Sequence, residues 1–333
     1  ANLFIKTLLA SLASVFLAAA LVWLGVGENI SYITIGALMA LVPGLDEERV
    51  DAQVHAVQYS YREIKTNIEE EEAEAIMADR PRPSQTIRFN AMKTDAAGFE
   101  NYLKTHDVIF ERGIVPGAYR CPAAGNLARL DGFRNGYFSI QGESSMLAAL
   151  AVEPKPGMNV LDACAAPGGK SFAAAIQMRG EGRIVSCDVQ GKKLRRIEEG
   201  ASRLGIGCIE TRQMDARRPA EELLGAMDVV IADAPCSGLG VIRKKPEIRF
   251  KPESELSALP GIQLDILRGL AACVKPGGTL LYSTCTLRKC ENEDVVAAFL
   301  TENSGFKALE MRTLWPDIDD TDGFFLCRLV RST

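Results

Sequence analysis

The chain has 333 residues, 47% of them hydrophobic, with 38 Lys and Arg against 43 Asp and Glu, a formal net charge of -5. That length holds about two domains and a large core, and the charge balance excludes binding of nucleic acid through bulk basicity alone. Nine cysteines without CxxC or histidine-spaced pairs point to a reducing compartment and no metal site, and two histidines, His55 and His106, argue against a histidine-based triad or a zinc centre.

In chain order, residues 7–27 form a run of 21 residues without a charge, long enough to span a bilayer, and a second apolar run, ISYITIGALMALVPG, ends at Gly44. A secretory signal fits poorly, because the run is too long and no small-residue cleavage site follows. Residues 1–44 read as a transmembrane hairpin or a fragment of an unrelated reading frame, a buried helix being the bland alternative. Residues 45–83 read as an acidic helical connector, with EEEEAEA at 69–75 and closing prolines in RPRP. Residues 1–80 carry 5 basic and 12 acidic side chains against 33 and 31 in the rest, which is therefore close to neutral.

Residues 84–142 read as a small α+β subdomain, opening with a strand and helix in SQTIRFNAMKTDAAGFENYL and closing at GYFSIQ. Residues 143–333 then alternate strand and helix: MNVLDAC, a helix from Gly169, RIVSCD, KKLRRIEEGASRLG, CIETRQMD, DVVIAD, a helix near 256–273, TLLYSTC, a helix from Glu291, and a closing strand pair. Such alternation predicts a mostly parallel doubly wound α/β sheet, which binds ligands at the carboxyl ends of its strands.

The first of those strands runs into DACAAPGGKS, Asp162 to Ser171. Its small residues, Cys164, Ala165, Ala166, Pro167, Gly168 and Gly169, let a ligand approach the backbone, and Lys170 opens a helix whose free N–H groups favour an anion. A P-loop would need glycine where Cys164 stands, and GxGxxG is absent. The second, third and fourth strands end in Asp188, Asp215 and Asp233. Asp188 lies where Rossmann-type folds place an acid on ribose hydroxyls, and Asp215 is placed for the amino edge of adenine. Each acid alone would more often be a cap or turn residue. Four acids, Asp162 included, beside a glycine loop without a phosphate cradle point to S-adenosylmethionine.

Two cysteines follow apolar runs, Cys236 in DAPCSGLG and Cys285 in LYSTCT. The bland reading is two small buried residues. The chemical reading is methylation of a carbon such as C5 of a pyrimidine: a thiolate adds at C6, C5 takes the methyl group, and a second thiol takes part in release. Asp233 is then a partner for the N3/N4 edge of cytosine, and Lys170 positions the base or stabilises charge. C5 and C6 are not reachable inside a stacked helix, so the target would be single-stranded or splayed out. The basic runs KKLRR at 192–196 and RKKPEIRFK at 243–251, with TIRFN, are candidate backbone contacts, the bland reading of each run being a solvated face.

LDACAAPGGKS, DAPCSGLGVIRKKPEIRF and LYSTCTLRKCENEDVV, in this order, resemble motifs of the RsmB/Nop/Sun family of RNA cytosine-5 methyltransferases, over about Gln85 to the end. The resemblance implies a class I, Rossmann-like methyltransferase fold preceded by an RNA-recognition-like subdomain, whose RxN strand TIRFNAMKT resembles. It implies S-adenosylmethionine as cofactor, held at Cys164 to Lys170, Asp188, Asp215 and Asp233, with Cys285 as nucleophile and Cys236 assisting release. The implied partner is RNA, first of all 16S rRNA, with tRNA or another RNA as the alternative; the catalytic part is expected to be cytoplasmic and monomeric, and the apolar run adds an expected membrane association through residues 7–44. Two departures stand out: QGESS (Gln141 to Ser145) has Gly142 where the family usually has Asp, and a NusB-like domain is replaced by the apolar segment and connector. IGALMALVPGL resembles a transmembrane piece of the threonine/serine exporter family. The rival functions are a DNA cytosine methyltransferase, whose nucleophile is the Pro-Cys thiol, a transport protein supported by residues 1–44 alone, and an inactive RNA-binding module.

Overall fold

The computed structural model describes residues 85–333, apart from 123, 124, 246, 249, 250, 252 and 317. The apolar segment 1–44 and the connector 45–83 lie outside the described residues. Among the described residues no helix is long and apolar enough to cross a membrane. They belong to one compact unit.

The first part of that unit holds β1 (Gln85–Phe89), α1 (Ala96–Thr105), β2 (Glu111–Arg112), β3 (Ala118–Cys121), α2 (Asp131–Arg134) and β4 (Phe138–Ile140), with an antiparallel sheet in the order β2-β3-β1-β4. Asp95 caps α1, its Oδ1 accepting from Gly98 N at 2.7 Å. Phe99 and Leu103, one turn apart, then press on Ile87, Tyr119 and Phe138. Because strand side chains alternate, Thr86 and Arg88 point to the opposite face.

That opposite face is closed. Arg88 is 6% exposed and its Nη2 donates to Ala173 O at 2.9 Å, while Asn90 Nδ2 donates to Gly136 O and Leu204 O at 3.0 and 2.8 Å. Burial pushes the Arg88 pKa down to about 10. The strand TIRFN, expected to touch an RNA backbone, is instead a docking strand, because its polar side chains satisfy buried carbonyls of the neighbouring layer. Arg120 on β3 adds an ion pair to Glu143 and another to Asp320.

The second part contains α3 (Glu143–Ala151), β5 (Asn159–Asp162), α4 (Gly169–Gln177), β6 (Arg183–Asp188), α5 (Gly191–Leu204), β7 (Ile209–Gln213), β8 (Met227–Asp233), α6 (Glu253–Ser257), α7 (Leu259–Ala271), β9 (Val274–Thr284), α8 (Glu293–Glu302), β10 (Phe306–Leu314) and β11 (Phe324–Arg331). Its sheet has the order β10-β11-β9-β8-β5-β6-β7, parallel except for β11, which is antiparallel to both neighbours. Continuous apolar strands are what two covered faces require. In β8, Val229 and Ile231 enter one core while Val230 and Ala232 enter the other. The chain leaves β5 towards β6 on one side and returns to β8 on the other, so the switch point opens at the end of β5. The helix expected from Glu291 begins at Glu293, because Lys289–Glu291 form a tight 3-10 turn first.

Candidate active site

Strands β8 and β9 are parallel neighbours with Asp233 opposite Ser283. Cys236 lies three residues past Asp233 and Cys285 two past Ser283, so the register carries both thiols to the same edge. Their sulfurs are 3.1 Å apart, and the backbone N–H of Cys285 points at Cys236 Sγ at 3.3 Å. The Cys236 S–H donated to Cys285 holds the Cys285 thiol below its usual value against the opposing effect of burial, with Lys170 and Lys245 adding in the same direction. The same contact, together with burial, pushes the Cys236 thiol up. The contact thus favours the thiolate form at Cys285 and the thiol form at Cys236.

Beside the thiols, Lys170 from the first turn of α4 donates to Asp233 Oδ2 at 2.6 Å and to Ser145 Oγ at 3.1 Å, 5.3 Å from the centre of the Phe324 ring. Ser283 Oγ donates to the other carboxylate oxygen at 2.8 Å. A lysine side chain only 7% exposed needs such a partner. Asp233 thus carries one fixed oxygen and one shared with a cation.

The loop between β5 and α4 turns on Gly168, whose φ of 108°, with the Phe172 ring standing where a Cβ would go, excludes a larger residue. Cys164 is partly buried, and burial pushes its thiol up, away from the thiolate form. Ala165 donates its N–H to Cys187 O at 2.7 Å, Ala166 packs at the edge of the core and Pro167 is exposed. Asp162 is fully buried: Oδ2 accepts from Ser171 Oγ at 2.7 Å, Oδ1 has no partner, and burial pushes its pKa up to about 6. Asp188 accepts from Gln190 N at 2.9 Å. Asp215, expected at the end of the third strand, lies two residues past the end of β7 and is clasped by Arg217, which holds its carboxyl below the usual range.

The basic runs divide. In 192–196, Arg195 pairs with Glu199 on the solvated face of α5. In 243–251, Lys244 pairs with Asp322 at 2.7 Å, Lys251 donates to Ser237 O at 2.8 Å, and Lys245 is exposed. A Cβ at Gly142 would come within 2.8 Å of Asp322 Oδ2, so an acid from the loop before β11 stands in front of this glycine. Ser145, Ser283, Gln263, Glu291 and Asn292 are not singled out by sequence, although four of them lie inside QGESS, LYSTCT and ENEDVV. Only their contacts assign them to the site.

A seven-stranded sheet with one antiparallel strand, a glycine loop at the switch point and acids on successive strand ends define a class I methyltransferase. Residues 149–330 match the family described as 16S rRNA methyltransferase RsmB/F, and the chain belongs to that family. This is the family that the three motifs resemble. The chain is 41% identical over 266 residues to the probable ribosomal RNA small subunit methyltransferase B of Bacillus subtilis, covering 74% of this chain and 60% of that protein. It is 32% identical over 272 residues to ribosomal RNA small subunit methyltransferase B of an Enterobacter species, covering 78% and 62%. The chain therefore spans about three fifths of the length of these curated relatives. The crystal structure of a methyltransferase homolog protein from Pyrococcus horikoshii is similar with a TM-score of 0.69 at 28% identity, covering 78% of this chain and 90% of that one.

Proposed function

We propose that the protein methylates C5 of a cytosine in RNA, in the first place 16S rRNA, through a covalent bond between Cys285 and C6. The observation that carries this reading is the meeting of two thiols, one favoured as thiolate and one as thiol, beside the Lys170–Asp233 pair. Cytosine C5 is not a nucleophile in the aromatic ring. Addition of the Cys285 thiolate at C6 breaks the C5–C6 double bond and delivers its electron pair to C5. S-adenosylmethionine, when bound, supplies the methyl group. Transfer of the C5 proton to a water molecule then returns the electron pair to the ring and expels the Cys285 thiolate, with Cys236 assisting this release. Asp233 accepts from the N4 amino group, and Lys170 stabilises the charge that builds on the base during addition.

The residues of the loop fit that cofactor. The orphaned Oδ1 of Asp162 is an acceptor waiting for a cation, and Asp188 is the strand-end acid for the ribose. Asp188→Ala is expected to cost roughly 1.5 to 3 kcal/mol of cofactor affinity, as a charged hydrogen bond does. Calorimetry with S-adenosylhomocysteine checks this, and an unchanged Kd removes Asp188 from the site.

The experiment that tests the substrate is bisulfite sequencing of ribosomal and transfer RNA from cells with and without the gene. Loss of a single 16S rRNA 5-methylcytosine supports the proposal, and loss confined to tRNA redirects it. For RNA contact, Lys245→Glu is expected to lower affinity for a 16S rRNA transcript and to reduce the salt slope by about one phosphate contact. Lys244 is held by Asp322 and should contribute less. Equal slopes for Lys245→Glu and the parent exclude that lysine.

A further inference from the structure

Each thiol sits in a short connection, and each connection is gripped from below by one of two consecutive, fully buried residues. Glu291 Oε2 accepts from Ser237 N at 2.9 Å and from Gln263 Nε2 at 3.0 Å, and the same Gln263 nitrogen donates to Pro235 O at 2.9 Å. The residues before and after Cys236 are therefore tied to one carboxyl group, directly on one side and through Gln263 on the other. Asn292 treats Cys285 in the same way: its Oδ1 accepts from Thr284 Oγ1 at 2.6 Å and its Nδ2 donates to Thr286 O at 3.1 Å. The two grips are joined by Ser237 Oγ donating to Thr286 Oγ1 at 2.7 Å, and Tyr282 OH anchors the Glu291 carbonyl at 2.5 Å.

We infer that Glu291 and Asn292 are positioning residues with separate duties, Glu291 placing Cys236 for release and Asn292 placing Cys285 for attack. Because they are neighbours in the chain, a single peptide unit fixes the spacing of the thiols. The energetics favour this over a merely structural role. A buried carboxyl group and a buried amide are costly unless satisfied, and aliphatic residues would fill the space with less desolvation. Here Asn292 spends both hydrogen bonds on the residues that flank Cys285, and Glu291 spends those of Oε2 on Ser237 and on Gln263, which holds Pro235, while its Oε1 lies 3.5 Å from Arg288 Nη1. Asn292 adopts φ -119° and ψ -98°, outside the helical region, between the 3-10 turn and α8, and this bend turns its side chain away from the ladder of α8 towards the Cys285 connection.

The inference rests on the proposed roles of the cysteines, and the test separates the two. Full-length parent, Cys285→Ala, Cys236→Ala, Asn292→Asp and Glu291→Gln are assayed with a 16S rRNA transcript and with the same transcript containing 5-fluorocytosine. Fluorine at C5 blocks release once the methyl group has been transferred, so with cofactor the fluorinated RNA reads attack and methyl transfer, and ordinary RNA reads these plus release. Asn292→Asp keeps the acceptor for Thr284 and loses the donor to Thr286, and should slow adduct formation on fluorinated RNA by about 10- to 100-fold. Glu291→Gln loses one of its two accepted bonds; it should form that adduct no more slowly than Cys236→Ala and accumulate it on ordinary RNA as Cys236→Ala does. Unchanged affinity for S-adenosylhomocysteine verifies the fold of each variant. If the cysteine variants behave as proposed but the two clamp variants slow both readouts by the same factor, or neither, the clamp is overturned and the reaction stands. If Cys285→Ala still forms the adduct, the proposed reaction itself is overturned, and the assigned duties with it.

Discussion

Cys285→Ala is expected to abolish both methyl transfer and the covalent RNA adduct, whereas Cys236→Ala retains the adduct and lets it accumulate. The asymmetry follows from the geometry. At 3.1 Å one sulfur must donate to the other, and Lys170 and Lys245 bias the negative charge towards Cys285. Alanine in place of Cys285 removes the group proposed to add at C6, and the loss should be on the order of 10⁴-fold or more, as for other covalent catalysts stripped of their nucleophile. Alanine in place of Cys236 removes a thiol whose raised pKa suits it to hold or pass a proton, so addition proceeds, slowed by loss of the S–H donated to Cys285, and release stalls. Denaturing electrophoresis of enzyme incubated with cofactor and a 16S rRNA transcript reads the adduct directly. A retained adduct in Cys285→Ala with loss in Cys236→Ala would reverse the roles and point to chemistry of the DNA methyltransferase type.

Much of this site is legible in the sequence because its chemistry is local. Acids at strand ends, small residues in a loop and cysteines just past apolar runs are each visible within a ten-residue window, and the alternation of elements puts them on one edge of the sheet. What stays hidden depends on pairs far apart in the chain. TIRFN reads as a basic strand free to meet a phosphate, yet Arg88 satisfies a carbonyl 85 residues away, a contact no local pattern encodes. Lys244 reads as one more cation in a basic run, but the fold sets Asp322 against it. Glu291 and Asn292 look like an ordinary polar start of a helix, where acids and asparagine are common. They are instead fully buried beneath two connections, the one from the same strand end and the other some fifty residues earlier.

Asp162 carries the second large effect, and it acts in opposite directions on stability and on cofactor binding. Burial raises its pKa from 3.8 to about 6. The folded state therefore holds this proton more tightly than the unfolded chain does, and stability is lost as pH rises from about 4 through about 6, by about 3 kcal/mol in all. A cation at the orphaned Oδ1, such as the ammonium group of the cofactor's amino acid end, requires the charged carboxylate. Binding must then expel the proton below pH 6, so the Kd for S-adenosylhomocysteine should be flat from neutral pH to about 8 and rise about tenfold per pH unit below about 6. Asp162→Asn keeps an acceptor for Ser171 but carries no charge. It is expected to be more stable than the parent at pH 7, no more stable at pH 4, and about 100-fold weaker for the cofactor at pH 7 with a flat pH profile. Thermal unfolding at the two pH values, with calorimetry between pH 5 and 8 in buffers of different ionisation enthalpy, checks each arm. An Asp162→Asn variant that binds the cofactor with the parental affinity and pH dependence would show that Asp162 never meets the cation.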